Sequence, residues 1–245
     1  MPKSLSARMY VAVVAISGLL VLGNAVMSAR GMPTGRFVSF LLVACLAARL
    51  KIKLPGLTGT MSVNLPFILL AAAEMSAPEA MLVGLISTVV QCLPKGKQSF
   101  NLVQAGFSCS TIVLAVAVAR LTYSSPAMAV MAPSAHLRLA LAAIGYSLVN
   151  TILVAVVIGL TEPVSMFKTW NEMVQLSFPY LVASAGIAGL ALAIAPEIVW
   201  QVPLAMLPVM AGIFVSYRRY FVMVTAAGEM NMQVQPSAVA VEAHV

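Results

Sequence analysis

KIKLPGLTGTMSVNLPFILLAAAEMSAPEAMLVGLISTVVQCLPKGK, residues 51–97, decides the fold of this chain. It holds two apolar runs, at about residues 58–75 and 78–93, which meet at Ser76, and lysines flank the pair at both ends. A helix rises about 1.5 Å per residue, so each run barely crosses a hydrocarbon core of about 30 Å. Basic residues at both ends favour the same side of a membrane. The stretch therefore predicts a membrane hairpin whose turn lies near the far interface.

The composition of the whole chain excludes a soluble globular domain. Hydrophobic residues make up 61% of it and charged residues 9%, whereas soluble domains carry about 25% charged residues. The net charge of +7 comes from Lys and Arg residues that stand in ones and twos at the ends of apolar runs. This pattern is typical of topology signals and not of a phosphate-binding surface. We therefore expect a lipid bilayer around the chain and no nucleic-acid partner.

No motif indicates an enzyme, a metal site or a cofactor. Cys45, Cys92 and Cys109 lie in apolar segments without CxxC spacing, so neither a disulfide framework nor a metal site is expected. The sequence contains no HExxH, GxSxG or Walker A motif and no pair of intramembrane carboxylates for acid–base catalysis. We expect no enzymatic activity and no cofactor.

The apolar runs predict an all-α protein, a polytopic transmembrane helix bundle of about eight spans over residues 1–222. The spans are predicted at about residues 9–27, 36–50, 58–75, 78–93, 100–121, 136–160, 178–195 and 199–216. An amphipathic helix at 165–177 is expected to lie in the membrane interface, and residues 223–245 to form a short disordered tail. With both termini cytoplasmic, the inner side holds ten of the 14 Lys and Arg residues, which is the orientation that the positive-inside rule favours.

Neutral polar side chains cluster on faces of several predicted spans. Asn101, Gln104, Ser108 and Thr111 follow helical spacing and form one polar stripe. With polar residues of neighbouring spans they predict a ligand cavity in the cytoplasmic half of the membrane, lined by Asn64, Gln91, Asn101, Gln104, Ser108, Tyr146 and Asn150. Because every member is neutral, we expect a small neutral ligand. The alternative is that these groups only join helices, each hydrogen bond contributing about 0.6 kcal/mol.

Three further residues are singled out by their position near an interface. Glu74 is a candidate intramembrane acid, since it ends the first run of the hairpin; alternatively it points outward while Glu79 complements the dipole of the next helix. Trp170 and Lys168 are expected to anchor the interfacial helix in the membrane surface.

The central stretch also carries a resemblance to a known group. KIKLPGLTGTMSVNLPFILL and EMSAPEAMLVGLISTVVQC resemble the N-terminal multi-pass membrane sensor region found ahead of GGDEF and HD-GYP domains in bacterial cyclic-di-GMP signalling proteins, and YRRY at 217–220 stands where such regions end their last helix. The resemblance implies a multi-pass sensor in the bacterial inner (cytoplasmic) membrane. Because no output domain is expected after residue 222, a separate cytoplasmic signalling or coupling protein would carry the signal.

Three functions remain open from the sequence. The first is a sensory or anchoring module that binds an apolar or neutral ligand, or reports the state of the membrane, and transmits the change through its last helix. The second is a small-solute transporter or the substrate-binding membrane subunit of an energy-coupling factor transporter, although Ala12 and Ala15 do not have the AxxxA spacing of that group. The third is a structural membrane scaffold whose helix at 165–177 docks a partner.

Overall fold

The computed structural model of the chain describes residues 5–29, 34–53, 60–94, 101–194 and 201–242. Within these ranges the fold is a helix bundle with one small β-hairpin. The helices are α1 Leu5–Met27, α2 Thr34–Ala48, α3 Leu65–Glu74, α4 Ala77–Cys92, α5 Leu102–Ser124, α6 Pro126–Met131, α7 Ala135–Thr161, α8 Met166–Ile194 and α9 Gln201–Glu242. The strands β1 Lys51–Lys53 and β2 Thr60–Ser62 pair antiparallel.

Four of the described helices are long and apolar enough to cross a membrane by length and composition: α1, α5, α7 and α8. Their most apolar windows have mean hydropathies between 1.7 and 2.2, and shorter apolar helices stand at 35–48 and in α3 and α4. The all-α membrane architecture expected from the sequence is thus confirmed in outline. The number of spans and the side on which each terminus lies stay predictions.

The turn between α3 and α4 is a capped helix start. Ser76 is the N-cap of α4, and the Glu79 carboxylate accepts hydrogen bonds from the Ser76 backbone N–H at 2.9 Å and from its hydroxyl. Ser76 and Glu79 stand at the capping-box positions, and the carboxylate satisfies the N-cap backbone N–H as it does in that motif. Glu79 therefore complements the start of α4, as its position in the sequence indicates.

The first helix of this hairpin is shorter than the sequence predicts. The run predicted as a helix from about residue 58 has strand β2 at Thr60–Ser62, and α3 begins only at Leu65; residues 58 and 59 lie outside the described ranges. The correction has a local cause, because the backbone of Thr60–Ser62 pairs with Lys51–Lys53. With 10 residues, α3 is about 15 Å long, half of a bilayer core.

The segment at 165–177 is also corrected by the structure. It does not form a helix separate from the span predicted at 178–195, since both belong to the single helix α8; the interfacial position of its first part stays a prediction. Pro179 lies inside α8, where it removes one backbone donor without ending the helix. Towards the end of the chain, the backbone of α9 is helical to Glu242, where the sequence predicts a disordered tail from residue 223.

The core of the bundle is centred on α3 and α5. Every residue from Leu65 to Ala72 in α3 is buried, and α3 packs against α4, α5 and α8. Half of the most apolar window of α5 is buried inside the protein, against 11% in α1. The short helix α3 is therefore enclosed by longer ones, and its first residue lies inside the bundle.

Candidate functional site

A cavity of about 420 Å³ opens among α4, α5, α7 and α8 at the end of the bundle that holds the β-hairpin, here called the strand end. All seven side chains that the sequence predicts to line a cavity lie on its walls: Asn64, Gln91, Asn101, Gln104, Ser108, Tyr146 and Asn150. They come from the start of α3 and from three further helices. The structure thus gathers the predicted group around one space.

The walls also contain polar residues that sequence analysis did not include. Ser177 and Tyr180 of α8 line the cavity together with the apolar side chains of Met173 and Leu181. These four positions share one helical face only if α8 is continuous across residue 177. The sequence predicts a helix boundary at this point, and for that reason the predicted cavity does not include α8. The helical spacing of Met173, Ser177 and Tyr180 is the pattern that indicates their common face.

One corner of the cavity is an internal hydrogen-bond network. The Ser62 hydroxyl lies 2.7 Å from Asn64 Oδ1 and 2.9 Å from Gln91 Oε1, and Asn64 Nδ2 donates to Ser87 Oγ at 3.1 Å. Ser62, Asn64 and Ser87 are buried. These bonds join the β-hairpin to α4, so Asn64 and Gln91 hold the fold together as well as lining the cavity.

The opposite wall carries amides that make no such bonds. Within the described ranges, no hydrogen bond joins the side-chain amide of Gln104 or Asn150 to another residue, and both line the cavity. Asn101 differs, because it is the N-cap of α5 and its Oδ1 accepts from the Gln104 backbone N–H at 3.2 Å. Gln104 and Asn150 are therefore the amides that are open to a ligand.

Tyr180 connects the cavity wall to two other helices. Its hydroxyl oxygen accepts a hydrogen bond from the backbone N–H of Leu65, the first residue of α3, at 3.2 Å. Its ring makes an edge contact with Tyr217 of α9, with centroids 6.2 Å apart and planes at 81°. Tyr180 is buried, and it contacts the cavity, the start of α3 and α9 at once.

Basic side chains stand at the mouth of the cavity, beside the C-terminal end of α4. Lys51 Nζ donates to the carbonyl oxygen of Leu93 at 3.4 Å, and Arg49 Nη1 to that of Val90 at 3.5 Å. Cations are favourable at this end of a helix, where carbonyl groups lack partners. Lys51 also lines the cavity, and no acidic side chain of the described residues does.

The remaining predicted site residues lie elsewhere. Glu74 ends α3 at the opposite end of the bundle, where its Oε2 is 3.8 Å from Arg36 Nη2. Trp170 Nε1 donates to Thr151 Oγ1 at 3.2 Å, which attaches the start of α8 to a residue of the cavity wall, and Lys168 is exposed. In the part of the chain that the structure describes, no three His, Cys, Asp or Glu side chains come together as metal ligands would.

Residues 34–221 match the family model MASE9. The chain belongs to the MASE9 family. MASE families are membrane-associated sensors, and the matched range starts at α2 and ends within α9, so it includes every element that lines the cavity. No curated protein and no solved structure matches this MASE9 chain. Its membrane-associated sensor class agrees with the sensor resemblance of residues 51–92, and any link to a GGDEF or HD-GYP domain stays a prediction.

Proposed function

We propose that this MASE9 protein is a sensor of the bacterial inner membrane that binds a small polar molecule in the cavity at its strand end and signals to a separate cytoplasmic protein. One observation carries the proposal. Polar side chains from several helices surround a single cavity of about 420 Å³, and the amides of Gln104 and Asn150 on its wall have no partner among the described residues. Asn150 is partly buried, where an amide without a partner is costly, and a ligand would supply the missing bonds.

The dimensions of the cavity suit a small molecule. Ligand sites in proteins are commonly concave spaces of about 300–1,000 Å³ with a few placed polar groups, and this cavity lies within that range. Its inner residues, among them Asn64, Tyr146 and Tyr180, are buried, while Asn101 and Gln104 at the mouth are exposed. A ligand entering from the strand end would reach the buried wall past Gln104.

We propose that the signal passes from the cavity through Tyr180 to α9. A ligand changes a conformational equilibrium only through contacts that differ between the two states, and Tyr180 shares contacts with the cavity, with α3 and with α9. Arg218 and Arg219 follow Tyr217 directly on α9 and are exposed. We place the partner's binding surface there.

The first test is whether the protein retains a molecule during purification. Protein extracted in mild detergent is denatured, and the released small molecules are identified and quantified by mass spectrometry. We expect one compound in stoichiometric amount. A flux of labelled solute into proteoliposomes would instead identify the chain as a transporter and contradict the sensor proposal.

Variants separate a binding role from a packing role of the polar wall. We expect Gln104→Leu and Asn150→Leu to lose the retained compound. A bound ligand itself raises the unfolding temperature, so all proteins are compared after the compound has been removed, and there both variants should unfold at the same temperature as the wild type, since neither amide bonds to the described protein. Asn64→Leu is the comparison, because it removes buried hydrogen bonds to Ser62 and Ser87, each contributing about 0.5–1.5 kcal/mol. If all three variants lower the unfolding temperature alike, the wall is packing and the proposal fails.

A further inference from the structure

The start of α3 gives the cavity a positive electrostatic character. Asn64 and Leu65, the N-cap and first residue of α3, both line the cavity. A helix carries a partial positive charge of roughly +0.5 at its N-terminus, and the N-terminus of α3 is buried inside the bundle. In such surroundings the charge is poorly screened by water.

The first backbone N–H groups of α3 already have acceptors, so a ligand cannot bond to them directly. The partial positive charge of the helix start therefore reaches a ligand through the hydroxyl of Tyr180, which bonds to it. Phe67 and Ile68 donate their N–H groups to the carbonyl oxygen of Asn64 at 3.2 Å, and Leu65 donates to the hydroxyl oxygen of Tyr180. A phenol that accepts a hydrogen bond from a helix start still has its own O–H hydrogen to donate. Tyr180 lines the cavity and its hydroxyl also neighbours the buried hydroxyl of Ser184, so a ligand would take the Tyr180 hydrogen in competition with Ser184.

Thr111 provides a second, independent donor. It is 1% exposed, it lines the cavity, and its Oγ1 has no hydrogen-bond partner among the described residues. Other threonines of this wall use their hydrogen within their own helix, as Thr88 does on Gly84 O at 2.8 Å and Thr151 on Ser147 O at 2.7 Å. Such back-bonding is the usual solution for a buried threonine in a helix. Thr111 has none, so its hydroxyl is available to a ligand.

The charged side chains around the cavity favour an anionic ligand, as the helix start and the two hydroxyl donors do. The described lining has one basic side chain, Lys51, and no acidic one. We infer that the bound molecule carries a carboxylate, whose oxygens accept from Thr111 and Tyr180 beside the start of α3, while Gln104 and Asn150 bind its polar remainder. This inference rests on the proposed function and narrows its ligand from a small polar molecule to a carboxylate. It replaces the neutral ligand that the neutral side chains of the cavity predict.

The test compares matched probes on the chain of residues 1–245 in detergent. Benzoate, benzamide and benzylamine share a ring and differ in charge, and their affinities are measured by isothermal titration calorimetry on wild type, Thr111→Val and Thr88→Val. We expect benzoate to bind the wild type at least about tenfold more tightly than benzamide, since hydrogen bonds to a charged group are roughly twice as strong as neutral ones. Benzylamine should not bind.

The variants assign the effect to Thr111. Thr111→Val should weaken benzoate about tenfold and leave the unfolding temperature unchanged or higher, because it removes a buried hydroxyl that has no partner. Thr88→Val is the matched control, since Thr88 is equally buried on the same wall but its hydrogen is already used, and it should leave the affinity for benzoate unchanged. Comparing hexanoate with hexadecanoate then distinguishes a water-soluble acid from a lipid-derived one.

Each contrary result has a separate meaning. Equal affinities for benzoate and benzamide, an unaffected Thr111→Val variant, or a retained compound without a carboxylate would overturn this inference and leave the proposed function standing. If no compound is retained and no probe binds the wild type, the proposed function fails and this inference with it.

Discussion

Gly18 sets the distance between α1 and α5. A methyl group added at Gly18 would lie 2.7 Å from Ser110 Cβ and 2.9 Å from Ser110 Cα, whereas one added at Gly23 on the same helix would meet nothing within 4 Å. Little of α1 is buried, and most of its contacts with the bundle are with α5. The close approach of two backbones at a small residue is a general means of helix association in membranes.

We therefore expect Gly18→Ala to destabilise the protein and Gly23→Ala not to. The first variant forces α1 away from α5, and overpacking of this kind costs about 1–3 kcal/mol. The second replaces a glycine in an open part of a helix, where alanine is favoured by up to about 1 kcal/mol. Thermal unfolding in the same detergent measures both, and a Gly18→Ala variant as stable as Gly23→Ala would contradict the contact.

The ends of the short helices α3 and α4 are stabilised by cations from neighbouring elements. Arg120 of α5 donates from Nη1 to the carbonyl oxygens of Ala72 and Ala73, at 3.0 and 3.2 Å, at the end of α3. Arg49 and Lys51 do the same at the end of α4. Because α3 ends within the protein, its last carbonyl groups depend on such donors.

Replacing Arg120 should therefore cost more stability than replacing Arg36. Arg120→Met leaves two carbonyl groups at the end of α3 without their donor, and we expect a loss of about 1–3 kcal/mol. Arg36 pairs with Glu74 at 3.8 Å and its side chain is 46% exposed, and such exposed pairs contribute about 0–1 kcal/mol. Chemical unfolding of Arg120→Met and Arg36→Met in one detergent ranks the two, and equal losses would show that the contact with α3 is unimportant.

Viewed as a whole, the molecule has its basic residues unevenly distributed between the two predicted sides of the membrane. The predicted inner side holds ten of the 14 Lys and Arg residues, and this imbalance predicts that both termini are cytoplasmic. A reporter that is active only in the cytoplasm, fused after residue 245, should be active. A fusion that works only when the reporter is periplasmic would invert the topology and place the mouth of the cavity outside the cytoplasm.

The membrane-embedded helical nature of the chain and the polar face of α5 follow from the sequence alone. Hydropathy and helical spacing are local properties, so a run such as 136–160 predicts α7, observed at Ala135–Thr161, to within a residue. The same periodicity places Asn101, Gln104 and Ser108 on one face, and the structure puts that face on the cavity. The local sequence of each segment is sufficient to predict these features, because they do not depend on contacts with other segments.

Other features depend on contacts between residues far apart in the chain, and only the tertiary structure shows them. The hydrogen bond from Leu65 to Tyr180 spans 115 positions, and it forms only when α3 and α8 pack together. The pairing of β1 with β2 joins residues close in the chain, but hydropathy alone predicts one helix from about residue 58, so the start of α3 at Leu65 inside the bundle is seen only in the structure. The helix start beside the cavity, and with it the charge of the proposed ligand, is therefore a property of the packed bundle.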